Sequence, residues 1–272
     1  MSHSTAGIRM GCQTYTWEML GPKWQGSPDD ILDAVAAAGF AGVEFSNNMI
    51  GDYLDRPEAF EKALKKRNLA FAAYAYATTG FTDPARTEED LAGAEKGVRF
   101  AAHFAAPLCL GGPSSASHDD YDAKFAQACS LYGKVAELAA PRGVTVALHP
   151  HSHHTSLVLT PEQYDRLLAA TEAAGLMFNP DTGHMLRGGH DLLATLAKHH
   201  ARIVHVHIKD VDTAGHWQPL GKGISDLPGL LRWLGETGYR GWVVTEEESD
   251  AVWQDASRAI ADDRQYLRSI GV

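Results

Sequence analysis

The sequence contains little cysteine and no long apolar run. Its 272 residues include three widely spaced cysteines, Cys12, Cys109 and Cys129, with no C-x-x-C pair. Such a set cannot form a disulfide framework and predicts a reducing compartment, which we expect to be the cytoplasm. No uncharged apolar run approaches the roughly 18 residues that a membrane-spanning helix needs. The opening MSHSTAGIRM lacks the apolar centre of a signal peptide. We therefore expect a soluble, intracellular protein without a membrane partner.

An excess of positive charge is also absent. The chain has 24 Lys and Arg against 34 Asp and Glu, a formal net charge of −10. A surface of this sign does not attract a phosphate backbone at long range, which argues against a nucleic-acid partner. The 44% of hydrophobic residues exclude a disordered or collagen-like chain. The length fits one large domain or two small ones.

Short apolar runs alternate with longer amphipathic segments along the chain. Val, Ile, Phe and Tyr recur in many of the runs, as buried strands require, and the fourth run has the weakest strand signal. The eight predicted strands are residues 8–14, 42–45, 70–76, 107–110, 144–149, 176–179, 203–208 and 242–246.

Helix start signals precede several of the amphipathic segments. Ser27 and Thr160 each stand before a proline and three residues before a polar side chain, the pattern of a capping box. Looser versions of this signal begin at Thr87 and Ser225. Each signal predicts a helix between two strands.

Parallel strands joined by helices form either an open doubly wound sheet or a closed barrel. The turn after the first strand, residues 13–17, has none of the glycines of a dinucleotide-binding turn. Eight strand–helix units in about 270 residues match the barrel, and no linker divides the chain. We therefore predict an α/β fold, a single (β/α)8 TIM-barrel domain over residues 1–272.

Polar residues end five of the predicted strands. Glu44 ends the second strand, and His149, Asp181, His207 and Glu246 end strands five to eight. In a TIM barrel the functional residues collect at these ends, which lie about 4.8 Å apart on neighbouring strands. The last four residues form a mixed nitrogen and oxygen set, suited to one Mn²⁺, Fe²⁺, Co²⁺, Ni²⁺ or Zn²⁺ ion per chain. Mg²⁺ is less suited because it prefers oxygen ligands.

Each of these four residues also has a purely structural interpretation. His207 could be a core histidine, and His149 belongs to a histidine cluster that could bind metal adventitiously. Asp181 could cap the next turn, and Glu246 opens a run of three glutamates that could be a solvated face. Their occurrence together at consecutive strand ends favours the metal site.

The motifs at these strand ends resemble those of the xylose-isomerase-like TIM-barrel superfamily of sugar isomerases and epimerases. The resemblance implies a divalent metal, often Mn²⁺, held by Glu, Asp, His and Glu on strands five to eight. Asp181, His207 and Glu246 match this set, whereas His149 stands where the sugar epimerases have a glutamate. That glutamate and the last one form the pair that moves a proton between the two faces of the sugar. The motifs are NPDTGH at 179–184, HVHIKD at 205–210, GKGI at 221–224, GWVVTE at 241–246, GCQTYTW at 11–17 and GVEF at 42–45.

Three segments look more like the inosose dehydratase branch, namely residues 148–151, 209–210 and 246–250. Enzymes of that branch, and related enzymes that cleave 3-keto C-glycosides, remove a proton next to a ketone and then expel a β-substituent. The resemblance therefore implies a dehydratase or lyase acting on a keto-sugar, keto-polyol or 3-keto-glycoside. Aldose–ketose isomerisation or C3 epimerisation through the same enediolate is the alternative. We expect an unphosphorylated substrate because no lysine- or glycine-rich phosphate cradle is evident.

Three residues are predicted to be catalytic. A neutral imidazole with a pKa of about 6.5 suits proton transfer, so we assign the general base to His151, whose alternative role is to orient a metal ligand. Lys209 lies two residues after His207 and therefore on the same side of its strand. It could steady an oxyanion or a leaving group, or it could be a surface lysine. Glu246 is assigned to both the metal and the reaction.

Five residues are predicted to bind substrate. Glu44 would hold substrate hydroxyls or orient a ligand, and His184 and Arg187 would contact substrate from the sixth loop. Trp17 and Trp217 would form an apolar wall against a sugar face, although tryptophan is more often a packing residue.

Two other classes of protein remain as alternatives. An apurinic-site endonuclease of the same superfamily would need further metal ligands and basic DNA-contacting loops, and the negative net charge argues against it. A non-catalytic subunit would be expected to have lost ligands. We expect a small-molecule carbohydrate substrate and a homo-oligomer, with a second type of subunit as an open alternative.

Overall fold

The computed structural model describes residues 7–272, which form two compact units. The first unit contains residues 7–72 and 205–272, and the second contains residues 73–204. The single domain over residues 1–272 stays a prediction. Within the described range, no helix is both long enough and apolar enough to cross a membrane.

Strands and helices alternate along the described chain. In chain order they are β1 (Arg9–Gln13), α1 (Tyr15–Glu18), α2 (Pro28–Ala38), β2 (Gly42–Ser46), α3 (Pro57–Lys66), β3 (Ala70–Tyr76), α4 (Thr87–His103), β4 (Leu108–Gly111), α5 (Tyr121–Ala139), β5 (Val146–His149), α6 (Pro161–Ala170), β6 (Met177–Phe178), α7 (Thr182–Arg187), α8 (Leu192–Lys198), β7 (Val206–Ile208), β8 (Asp210–Val211), β9 (Trp217–Gln218), α9 (Leu227–Glu236), β10 (Trp242–Thr245) and α10 (Ala256–Ser269).

Every predicted strand is confirmed, with ends that shift by up to three residues. In the first unit the parallel order is β2-β1-β10-β7, and Val244 of β10 is level with His207 of β7. In the second unit the parallel order is β3-β4-β5-β6, and Gly111 of β4 is level with His149 of β5. These registers bring polar residues of neighbouring strands to the same level.

The helix starts follow the predicted signals with two differences. The Ser27 hydroxyl accepts a hydrogen bond from the Asp30 N–H while the Asp30 carboxylate accepts one from the Ser27 N–H, and the same box forms at Thr160. Thr87 is the first residue of α4 and does not cap it. Asp226, instead of Ser225, caps α9, because its carboxylate accepts the Gly229 N–H.

Aromatic and aliphatic side chains fill the core of each unit. In the first unit the fully buried Phe60 of α3 lies with its ring centroid 5.4 Å from those of Phe45 and Phe71. In the second unit Tyr132 of α5 is fully buried, and its hydroxyl donates to the carbonyl of Gly111. Burial of each such side chain contributes roughly 1.5–3 kcal/mol. This packing stabilises the strands that carry the polar residues.

A short hairpin, β8 and β9, was not predicted. It lies between β7 and α9, and a single buried carboxylate, that of Asp210, organises the residues around it. The carboxylate accepts backbone N–H groups from Val211, Gly221, Gly223 and Ser225, each at 2.9 Å. At Gly223 a Cβ would lie 2.3 Å from the carboxylate, so only glycine fits there.

Candidate metal and substrate site

Buried acidic and basic side chains meet beside β2, β7 and β10 in the first unit. Glu44 and His207 are fully buried, and Glu246 is 5% exposed. Apolar strands that bury charged groups incur a desolvation cost that only partners can offset. The groups that contact Glu44, His207 and Glu246 therefore indicate what these residues do.

His207 lies between two carboxylates. Its Nε2 is 2.9 Å from Oε2 of Glu44, and its Nδ1 is 2.9 Å from Oε2 of Glu246. Burial alone would lower the pKa of His207, but the two carboxylates outweigh it and raise the pKa from 6.5 to about 10. Burial alone would raise the pKa of Glu44, but the imidazoles of His207 and His205 hold it well below its usual range.

Glu44 fixes which nitrogen of His207 can bind an ion. The ionised carboxylate can only accept, so His207 donates its Nε2–H to Glu44, and His205 donates from Nε2 at 2.6 Å. When His207 is neutral, the lone pair is therefore on Nδ1, the nitrogen that faces Glu246. A carboxylate behind an imidazole is the arrangement that orients histidines for metal binding. Both roles considered for Glu44, holding substrate hydroxyls and orienting a ligand, stay predictions.

His149 and Asp181 form the corresponding pair in the second unit. The Nε2 of His149 is 3.6 Å from Oδ2 of Asp181. The Nδ1 of His149 is 3.2 Å from Nε2 of His151, so these two nitrogens share one hydrogen. His149 is 6% exposed and Asp181 is fully buried, so this pair is not part of a solvated surface.

Asp181 uses its two oxygens differently. Oδ1 accepts the backbone N–H of His184 at 2.8 Å and caps α7, whereas Oδ2 faces His149. The capping interpretation is therefore correct for one oxygen and leaves the other for a second task. His184 is also fixed, because its Nδ1 accepts the backbone N–H of Ser152 at 3.0 Å. A neutral His184 consequently carries its hydrogen on Nε2.

The remaining predicted residues differ in their surroundings. Lys209 is 2% exposed, with its Nζ 3.2 Å from Oε2 of Glu246 and 5.1 Å from the centroid of the Trp217 ring. Arg187 is exposed at the end of α7. Trp17 is fully buried and packs on Trp24 at 6.2 Å between ring centroids, so it offers no accessible face to a sugar.

The sequence reasoning missed two residues. His205 donates to Glu44, and its position two residues before His207 was the available signal. Glu248 contacts Lys209, although it belongs to the run of three glutamates that resembles a solvated face. The side chains of all three glutamates are buried, and the Glu247 carboxylate accepts the backbone N–H of Ser249.

Comparisons with known proteins agree in family and fold. The family model described as xylose isomerase-like TIM barrel matches residues 32–270. Over 154 residues the chain is 32% identical to the inosose dehydratase of Geobacillus thermodenitrificans, covering 50% of this chain and 51% of that protein. The chain thus spans about half the length of that relative. Over 275 residues it is 24% identical to the inosose dehydratase of Clostridium botulinum, covering 88% of each.

Solved structures share the fold. The 3-keto-D-glucoside 4-epimerase YcjR of Escherichia coli superposes with a TM-score of 0.79 at 19% identity, covering 96% of this chain and 99% of that one. The IolI protein with a bound zinc atom superposes with a TM-score of 0.80 at 15% identity, covering 96% and 97%. The predicted α/β TIM-barrel fold is confirmed by these likenesses.

Proposed function

Because the chain belongs to the xylose isomerase-like TIM barrel family, we propose that it is a metal-dependent carbohydrate enzyme. It removes the proton next to the carbonyl of a keto-sugar, keto-polyol or 3-keto-glycoside and then expels a β-substituent. The likeness to inosose dehydratases supports this reaction class. We also propose an unphosphorylated small-molecule substrate, a homo-oligomer and a cytoplasmic location.

We propose that His149, Asp181, His207 and Glu246 hold one divalent ion. One observation carries the proposal. Each imidazole is held on one nitrogen by a neighbour and turns its other nitrogen toward a carboxylate. Two neutral imidazoles and two carboxylates suit a transition metal, with Mn²⁺ favoured by the family resemblance and Zn²⁺ by the zinc in IolI.

The ion would supply a Lewis acid that polarises the substrate carbonyl and makes the neighbouring C–H acidic. His151 takes that proton, and to do so it gives up its contact with Nδ1 of His149. The Nε2–H of His184 would donate to a substrate oxygen. The ammonium group of Lys209 stabilises the oxygen that leaves as the β C–O bond breaks.

The identity of residue 149 favours elimination over epimerisation. Epimerisation by two carboxylates needs a second glutamate besides Glu246, and this chain has His149 where the resemblance to the sugar epimerases places that glutamate. The likeness to an epimerase concerns the fold alone, at 19% identity. Isomerisation or epimerisation therefore remains the second candidate, with reprotonation of the enediolate replacing expulsion of the substituent.

The test is incubation of Mn²⁺-loaded and Zn²⁺-loaded protein with ketoses, inososes and 3-keto-glycosides in D₂O. An enone or a released aglycone supports elimination, and deuterium uptake without elimination supports the isomerase alternative. No exchange with any substrate refutes the proposed function.

The variant His151→Ala tests the base. We expect loss of deuterium exchange by roughly 100-fold or more, with metal content unchanged at saturating metal, because His151 contacts His149 but is not itself a proposed ligand. His154→Ala, at an exposed residue of the same segment, is the matched control and should leave both quantities unchanged. Metal loss in His151→Ala would show that His151 acts only by orienting His149.

A further inference from the structure

The ammonium group of Lys209 is enclosed on three sides in the first unit. It contacts the carboxylate of Glu248, lies 3.2 Å from Oε2 of Glu246 and lies over the ring of Trp217. The side chain of Lys209 is 2% exposed and that of Glu248 is 6% exposed. This burial distinguishes the pair from a surface ion pair such as Lys65–Glu61, whose side chains are 72% and 41% exposed.

A buried lysine needs a dedicated anion to keep its position. The side chain has four rotatable bonds, and exposed ion pairs contribute little to holding it. Glu246 also faces His207, and in the proposed function it binds the metal ion. Glu248 also contacts Lys209 and is not one of the proposed metal ligands.

The three consecutive glutamates contact different sets of groups. Glu246 faces both His207 and Lys209, Glu247 accepts the backbone N–H of Ser249, and Glu248 contacts Lys209. A solvated acidic run would not make such contacts. Lys209 therefore lies between two carboxylates, and in the proposed function only the first of them, Glu246, also binds the metal ion.

We propose that Glu248 is a positioning residue. It holds the ammonium group of Lys209 at the place where that group contacts the leaving oxygen of the substrate. This inference rests on the proposed function, and it adds to that function a residue that acts only through Lys209. In this role Glu248 would not itself contact the reacting atoms.

The activity experiment compares Glu248→Gln, Glu248→Asp and Lys209→Met with the unchanged protein. We expect Glu248→Gln to lower kcat for elimination roughly 10- to 100-fold, with KM, metal content and deuterium exchange each within about threefold. Glu248→Asp, which keeps the charge, should recover part of kcat. The double variant should be no slower than Lys209→Met alone, because Glu248 acts only through Lys209. Glu61→Gln, at a surface ion pair, is the matched control and should leave kcat unchanged.

A second readout does not depend on activity. In protein with ¹⁵N-labelled lysines, the ammonium signal that Lys209→Met removes should be observed in the unchanged protein and in Glu61→Gln, and lost in Glu248→Gln. Retention of that signal in Glu248→Gln, or loss of kcat that multiplies in the double variant, overturns the proposal. If the unchanged protein acts on no substrate, the proposed function fails, and the signal still decides whether Glu248 holds Lys209.

Discussion

Replacement of Glu44 by Gln tests whether a buried carboxylate that hydrogen-bonds to His207, a proposed metal ligand, raises the metal affinity of the site. Oε2 of Glu44 accepts from Nε2 of both His205 and His207, at 2.6 and 2.9 Å. A neutral amide oxygen is a weaker acceptor than a carboxylate, by roughly half the bond strength. The preference of His207 for the tautomer with its hydrogen on Nε2 therefore decreases, and so does the basicity of its Nδ1.

The expected effect on metal affinity follows from the general cost of losing a group that orients a metal ligand. Losing the group that orients a ligand lowers metal affinity roughly 10- to 100-fold, or about 1.4–2.7 kcal/mol. A further cost falls on folding. Oε1 of Glu44 is buried with no hydrogen-bond partner among residues 7–272, so the new NH₂ group would be buried without an acceptor there. That cost is about 1–3 kcal/mol in the free energy of unfolding.

The assay is a competition titration against a chelating dye, together with urea unfolding of the metal-free protein. Asp90→Asn is the matched control, because Asp90 is also fully buried and accepts two hydrogen bonds, both from Thr79. It should lose stability and keep its metal affinity. If Glu44→Gln binds metal within twofold of the unchanged protein, the orienting role of Glu44 is refuted.

Two further predictions concern stability. Asp210→Ala removes the acceptor of four backbone N–H groups and should lower the free energy of unfolding by about 3–5 kcal/mol. Asp212→Ala, at the exposed turn of the hairpin, should cost under about 1 kcal/mol; equal urea midpoints for the two variants would contradict this account. Burial raises the pKa of Cys129 from 9.0 to about 11, and burial with nearby Glu248 raises that of Tyr15 from 10.0 to about 12. Because the folded state holds these protons more tightly, the stability they contribute is complete below pH 9 and is lost between pH 9 and 12. The urea midpoint should fall over that range, less steeply in Cys129→Ser; a constant midpoint would refute the shifts.

The strands could be predicted from sequence because the pattern that indicates a buried strand lies within the strand itself. Buried parallel strands are continuous apolar runs, and the capping boxes at Ser27 and Thr160 mark the helices between them. The β8–β9 hairpin could not be predicted in this way. Its two strands have two residues each, and the loop around it depends on Asp210, whose partners lie up to 15 residues later in the chain.

The candidate site was predictable as residue types at strand ends, whereas the partners of those residues were not. The sequence indicates that His207 and Glu246 belong to a site, but it does not show that Glu44 holds Nε2 of His207. The same limit applies to Glu248, since a run of glutamates reads as a solvated face until its side chains are placed. Orientation depends on contacts between residues that are far apart in sequence, and one sequence alone does not contain them.

The weak sequence signal of the fourth predicted strand, β4, has a physical explanation in the structure of the second unit. β4 ends in Gly111, followed by Gly112, where other strands end in polar side chains. A Cβ on Gly111 would lie 3.3 Å from Cε1 of His151, and one on Gly112 would lie 2.9 Å from the Cα of Pro150. Two residues without side chains therefore leave the space in which His151 reaches His149. The two glycines that weaken the strand signal are therefore the residues that allow His151 to contact His149.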